Sequence, residues 1–200
     1  CFRHSDKQYI LVTGGSFIYN MDYSEILRFH KSKDADITMV YYTAKAENNG
    51  RDAVLQVEDD GRVKDIAEKP ATYGGSKVSM GIYFMVKEVF VDLIKTAYEH
   101  GGQDFLVDAI IRHSPEHSIY AFEHKGYVSH VESMAAYYRT NMDILTPSVW
   151  EDLFMGQRSI YTKVKDEVPV QYKEDAKISN SIIANGSEIH GEVDNSVLFR

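Results

Sequence analysis

Two hundred residues, 44% of them hydrophobic, suffice to bury a real core, and the length fits one domain or one domain with an appendage. Twenty-two Lys and Arg against 30 Asp and Glu leave a net charge of -8, with no basic run able to track a phosphate backbone, which argues against nucleic acid as a partner. No apolar run approaches the roughly 20 residues of a membrane span, no cleavable leader pattern is read, and the one cysteine, Cys1, excludes an internal disulfide or a Cys-based zinc site, so the expectation is a cytoplasmic protein with no membrane partner.

Residues 8–12 read as a short buried strand, because apolar β-formers run up to Gly14 and Gly15. The stretch "VTGGSFIYNMDY", residues 12–23, then presents Ser16 where an α/β protein commonly displays a catalytic or metal-binding group. Asp22 with Glu25 three residues on forms a capping-box pattern, and Ile26, Leu27 and His30 share one face of a helix expected to end near Lys33. Residues 37–43 are the next strand. Two alternating segments, 54–57 and 63–67, flank Asp59-Asp60-Gly61-Arg62, where Asp-Gly predicts a tight hairpin. A strongly apolar strand covers 78–86, and Val89, Phe90, Leu93, Ile94 and Ala97 recur at helical spacing up to a Gly101-Gly102 stop. Phe105, Leu106, Ala109 and Ile110 stripe another helix, 119–122 is a strand, and Met134, Tyr138, Met142 and Leu145 mark a helix that ends before Pro147. Strands alternating with helices predict a mainly parallel α/β sheet.

After Pro147 the texture changes. Residues 148–169 form a connector of mixed character, and "KISNSIIANGSEIHGEVDNSVLFR" then repeats short apolar units, with Ile183 and Ile189 six apart. Ser187 and Val193 fall four residues after those isoleucines, and Gly186 and Gly191 sit at corners, which is the spacing of a hexapeptide β-helix; an ordinary hairpin is the competing reading. A coil of this kind cannot bury its own face and needs stacked neighbours. Together with an opening on Cys1-Phe2-Arg3, this sets the expectation of a piece of a longer protein. The expected division is 1–146, 147–170 and 171–200.

Six motifs in order, "GGSFIYNMDY", "DDGRVKDIAEKP", "VSMGIYFM", "QDFLVDAII", "GYVSHVESMAAYYRTNMDIL" and "NSIIANGSEIHGEVDNSVLFR", resemble the glucose-1-phosphate adenylyltransferases (ADP-glucose pyrophosphorylases) of glycogen synthesis over nearly the whole chain. The resemblance implies a Rossmann-like nucleotidyltransferase domain, here partial, followed by the start of a left-handed parallel β-helix that helps assemble tetramers. It implies an enzyme that makes ADP-glucose and pyrophosphate from ATP and glucose 1-phosphate, whose glycine-rich ATP loop lies in an N-terminal portion without a counterpart here.

Residue by residue, the resemblance puts Glu68, Lys69 and Ser79 at the sugar phosphate. A mobile Lys ammonium meets a phosphate dianion and a Glu accepts sugar hydroxyls. The bland readings are a solvated Glu-Lys pair before Pro70 and, for Ser79, a small residue in a packed strand. Asp52-Ala53 replaces an aromatic-glycine pair of the family, which implies a bulkier, charged segment at the ligand cleft. Active members hold Mg²⁺ on two aspartates, and the matching positions here are Ser16 and His130. A hydroxyl brings no charge and an imidazole suits zinc better than magnesium, so no bound metal or cofactor is expected. Losing both carboxylates should cost roughly 10⁴-fold or more in rate.

Those losses make the chain look most like the regulatory, GlgD-type glycogen biosynthesis proteins. The resemblance then implies a partner, a catalytic glucose-1-phosphate adenylyltransferase subunit in a hetero-oligomer, expected to be a tetramer, and a ligand such as glucose 1-phosphate or another sugar-phosphate effector. Two alternatives stand beside it. One is an active sugar-phosphate nucleotidyltransferase whose metal sits on Asp22 and Asp143, and the other an oligomerisation module that binds no ligand. His113 and His117 are four apart, but Pro115 breaks the helical face that a zinc pair needs. Asp104 and Asp108, also four apart, read as a carboxylate face or as N-terminal caps.

Overall fold

The computed structural model describes residues 6–44, 52–68, 75–156, 159–161 and 166–199. The chain forms two compact units, one of Cys1–Gly15 with Asp22–Lys125 and the other of Ser16–Met21 with Gly126–Arg200.

The first unit is built on a mixed sheet. Its strands are β1 (Tyr9–Thr13), β3 (Ile37–Thr43), β4 (Val54–Val57), β5 (Val63–Ala67), β6 (Lys77–Val86) and β7 (Ile119–Glu123), while β2 (Phe17–Ile18) belongs to the second unit. The order is β5-β4-β6-β3-β7, and the far end of β6 also takes β1, so β1 and β4 divide its length. Every pairing made by β6 is antiparallel, as is β4 with β5, and β3 with β7 is the one parallel pair among the described strands of this sheet. The expected mainly parallel sheet is therefore corrected. Between β3 and β6 the chain passes through a hairpin with no described crossover helix, and a crossover helix is what makes neighbouring strands run parallel.

Both faces of this sheet are covered. Ile37, Met39, Tyr83 and Met85 pack with Leu93, Ala97, Ala109 and Ile110 on one side. Helix α2 (Lys87–Glu99) and the π-helical turn Phe105–Ile111 supply that cover. On the other face lies α1 (Tyr23–Ser32), with Ile26 and His30 buried. His30 Nδ1 is 2.9 Å from Thr38 Oγ1, its ring is edge-on to Tyr9 and Phe84, and burial lowers its pKa.

Local sequence explains the element ends. Asp22 caps α1 by accepting from the Ser24 N–H at 2.9 Å. At the other end of α2, Gly101 has φ +72° and donates to the Tyr98 carbonyl, and Gly102 donates to the Ala97 carbonyl, which is a Schellman closure. Asp104 then caps the next turn through the Val107 N–H, and Asp108 reaches back to the N–H groups of Gln103 and Asp104. Those backbone bonds, to Asp104 first and Gln103 second, hold the Asp108 carboxyl below its ordinary range, so both aspartates serve as caps. The β4–β5 hairpin turns at Gly61, φ +91°, whose carbonyl accepts from the Ala121 N–H of β7.

The second unit contains the antiparallel pair β2 and β8 (Ser129–His130), helix α3 (Met134–Asp143), a short helix α4 (Pro147–Trp150) and a π turn at Glu151–Met155. Six short strands follow: β9 (Gln171–Tyr172), β10 (Lys177–Ser179), β11 (Ile182–Ile183), β12 (Glu188–Ile189), β13 (Glu192–Asp194) and β14 (Val197–Leu198). Each pairs in parallel with the third strand along, β9 with β12, β10 with β13 and β11 with β14. Asn180 and Asn195, 15 residues apart, both have positive φ and join side chain to side chain at 2.8 Å. The pairing repeat of β10 with β13 and of β11 with β14 is thus the interval from Ile182 to Val197, the β9–β12 pair spans the longer interval from Gln171 to Glu188, and the six-residue step from Ile183 to Ile189 is the distance from one strand to the next.

Candidate functional site

Ser16 and His130 meet although 114 residues separate them, with Ser16 Oγ 3.1 Å from His130 Nε2. The antiparallel pairing of β2 with β8 brings them there, since Phe17 stands opposite His130 and Ile18 opposite Ser129. The Val131 N–H donates to the Ser16 carbonyl at 2.8 Å and extends the ladder past the pair. Phe17 stacks on the imidazole with ring centroids 4.1 Å apart and planes 12° apart. Such a stack restricts the ring to one orientation. Both side chains are half-buried.

Behind this pair, β8 is tied to α3. Ser129 Oγ lies 2.6 Å from Thr140 Oγ1, and Thr140 donates to the Ala136 carbonyl at 2.8 Å. The Tyr127 hydroxyl donates to Asp143 Oδ2 at 2.8 Å, and the Tyr127 N–H donates to Asp152. Asn20 Nδ2 donates to the Leu153 carbonyl at 2.7 Å, which fastens the chain beyond β2 to the π turn. Sequence reasoning did not find Tyr127, Ser129, Thr140 or the Phe17 stack, because these contacts depend on strand register and helix orientation.

The two positions do not fit Mg²⁺. The resemblance requires hard carboxylate oxygens, and the structure presents a hydroxyl and an imidazole that bond to each other. Among the described residues no group of three or more His, Cys, Asp or Glu side chains gathers as a metal would need. Of the two acids considered as substitutes, Asp22 caps α1 and Asp143 accepts from Tyr127. His113 and His117 approach different carboxylates, Glu116 at 3.5 Å and Asp36 at 3.8 Å.

The sugar-phosphate candidates fall in the first unit. Glu68 is exposed just past β5, and Lys69 lies outside the described residues. Ser79 is buried in β6, where its hydroxyl accepts from the Gly81 N–H at 3.2 Å beside a bulge opposite Val40 and Tyr41. Asp52 is half-buried, and Ala53 is a core residue whose carbonyl accepts from the Ser79 N–H at 2.8 Å.

Three phenols carry raised pKa values: burial, then the charge of Glu123, raises Tyr41, and Tyr127 and Tyr83 move further. Burial, followed by the bond to Asp143, pushes Tyr127 up to about 12, and burial does the same to Tyr83. A phenol ionises near pH 10 in the unfolded chain, so the stability tied to these two neutral groups is complete below pH 10 and is lost as pH rises toward about 12. Tyrosinate absorbance during an alkaline titration should therefore show two late phenols, one removed by Tyr83→Phe and the other by Tyr127→Phe. A single transition near the ordinary value for all 14 tyrosines would contradict this.

A central sheet covered by helices on both faces is the architecture of the first unit. The chain is a member of the nucleotidyl transferase family, which matches residues 1–169. It is similar to the glucose-1-phosphate adenylyltransferase of Lachnospira eligens, 33% identical over 193 residues covering 96% of this chain and 45% of the relative. The enzyme of the same name from Mycoplasma mobile is 31% identical over 97% of this chain and 52% of its own length. The glycogen biosynthesis protein GlgD of Bacillus subtilis is 29% identical over 100% of this chain and 48% of its own length. The chain spans about half the length of the curated relatives it matches.

Proposed function

We propose that this chain is part of a regulatory subunit of glucose-1-phosphate adenylyltransferase in glycogen biosynthesis, inactive or nearly so by itself. The observation that carries the reading is the hydrogen bond between Ser16 and His130, the two positions that the resemblance matches to the metal aspartates of active members. In an active member Mg²⁺ supplies the charge neutralisation that phosphoryl transfer requires. A serine and a histidine that satisfy each other offer no anionic perch for it, and the loss corresponds to roughly 10⁴-fold in rate.

In this reading the subunit works by association with a catalytic glucose-1-phosphate adenylyltransferase chain in a cytoplasmic hetero-oligomer, and Glu68, Lys69 and Ser79 sense a sugar phosphate. The parallel pairing of β9 to β14 at three-strand intervals supports a left-handed β-helix beginning here. The alternative of an active enzyme with metal on Asp22 and Asp143 draws less support, because both carboxylates already accept structural hydrogen bonds.

The test is Mg²⁺-dependent pyrophosphorolysis of ADP-glucose by the full-length protein, alone and mixed with a catalytic subunit. No turnover alone and altered kinetics in the mixture are expected; robust turnover by the lone protein ends the proposal. Glucose 1-phosphate should also shield Lys69 from amine modification, whereas oligomerisation without any shielding would favour a pure assembly module.

A further inference from the structure

The corner between β11 and β12 is the two-residue turn Asn185-Gly186, and both residues are exposed. Gly186 has φ +83°, the left-handed conformation that favours glycine. Its N–H donates to the Val168 carbonyl at 2.7 Å, and Ser187 Oγ donates to the Ala184 carbonyl across the turn at 2.8 Å. Two rungs continue that line, from the Gln171 N–H to the Ser187 carbonyl and from the Lys173 N–H to the Ile189 carbonyl. The Gly186–Val168 bond therefore lies at the head of the pairing of β9 with β12.

An asparagine followed by glycine carries a reaction within itself. The backbone nitrogen of the glycine attacks the asparagine Cγ, the Cγ–Nδ2 bond breaks, and the amide departs as ammonia with the proton that the nitrogen gave up. The product is a cyclic succinimide, which water opens at either carbonyl to aspartate or isoaspartate. Glycine permits the closure because it has no Cβ to obstruct the approach, and an exposed turn admits the water. The nitrogen must first release its proton to a base, and here that proton is held against the Val168 carbonyl. Asn180 and Asn195 differ, since serine follows each and their side-chain amides hold each other at 2.8 Å.

We infer that Asn185 is a latent modification site, at which succinimide formation is held off by the Gly186–Val168 hydrogen bond and starts when β9 parts from β12. The reaction then makes the opening permanent. Isoaspartate adds a methylene to the backbone of the turn, and either product puts a carboxylate where a neutral amide stood, three residues before Glu188. The lengthened turn no longer delivers the Ser187 and Ile189 carbonyls in register with Gln171 and Lys173. The site records, irreversibly, how often this pairing opens. It does not depend on the regulatory reading, since it needs neither a ligand nor the Ser16–His130 pair.

Peptide mapping by mass spectrometry during incubation at mildly alkaline pH tests it, with chromatography separating the aspartate and isoaspartate products. Asn49-Gly50 is a second pair of this type and lies outside the described residues, so products must be assigned peptide by peptide. Asn185 in the wild-type chain should react at least about tenfold more slowly than in the same chain unfolded in urea, because only the open fraction reacts. Gln171→Pro removes a rung donor without touching the turn and should speed the reaction several-fold. Sub-denaturing urea gives the same reading without a substitution, and the rate should climb as the pairing opens. Asn185→Ser, which lacks the amide, should give no reaction at this turn. Wild-type reaction as fast as in the unfolded chain overturns the inference. So does a rate that sub-denaturing urea or Gln171→Pro leaves unchanged, or an Asn185 that stays intact even in the unfolded chain.

Discussion

A variant carrying Ser16→Asp and His130→Asp together will bind Mg²⁺ and will be markedly less stable in chelator than in Mg²⁺. The native side chains already touch at 3.1 Å, so carboxylates on the same two backbones would stand a few ångströms apart. Two negative charges about 4 Å apart repel by roughly 4 kcal/mol at the effective dielectric of a protein surface. Proton uptake and solvent relaxation will reduce that to about 1–3 kcal/mol, a fall of several degrees in Tm that Mg²⁺ should reverse. The Phe17 stack on His130 is lost as well, so part of the fall will persist with metal present. Ser16→Asp alone should behave differently, because the new carboxylate meets an imidazole instead of a second acid. Calorimetric titration with Mg²⁺ and paired melting curves provide the readout. Identical melting of the double variant in chelator and in Mg²⁺ would show that the two positions no longer converge on a metal.

Gly102→Ala should be the most damaging of the small substitutions at the end of α2. A Cβ there would lie 2.7 Å from Asp108 Cβ and 2.9 Å from the Ala97 carbonyl oxygen. The second of these is backbone, and the Gly102 N–H donates to that same carbonyl, so the Schellman closure would have to open. The Asp108 side chain cannot simply swing away, because it accepts from Gln103 and Asp104. Overpacking of this kind costs about 1–3 kcal/mol, and the lost cap adds to it. Gly101→Ala is a useful comparison: its added Cβ meets nothing within 4 Å, and only the positive φ penalises it, by roughly 1–2 kcal/mol. Urea unfolding of both variants should rank Gly102→Ala below Gly101→Ala; the reverse order would mean that backbone conformation, and not the close approach, is what demands glycine at this turn.

Much of the fold was legible because it is local. Asp22, Gly61, Gly101 and Asp104 act on groups within a few residues of themselves, and each performs the capping or turning role that its neighbours implied. Strand direction was not legible in this way. Alternation of strands and helices is compatible with either orientation, and β6 runs antiparallel to β1, β3 and β4 because a hairpin leads into it. Helix α3 shows a second limit: a period of three and four residues states that a helix has an apolar face, and only packing decides that α3 buries the small Ala136 and Thr140 while Met134 and Tyr138 stay exposed.

The sequence by itself determined most of the elements and the caps, through short-range sterics and side-chain chemistry, and its motifs carried the resemblance that matches Ser16 and His130 to two aspartates. The tertiary structure decided that Ser16 and His130 satisfy each other under a stacked Phe17, and that Asp143 is held by Tyr127. The reason is physical. A bond across 114 residues exists only because the pairing of β2 with β8 sets Phe17 opposite His130 and so brings Ser16, the next residue back along the chain, beside the imidazole.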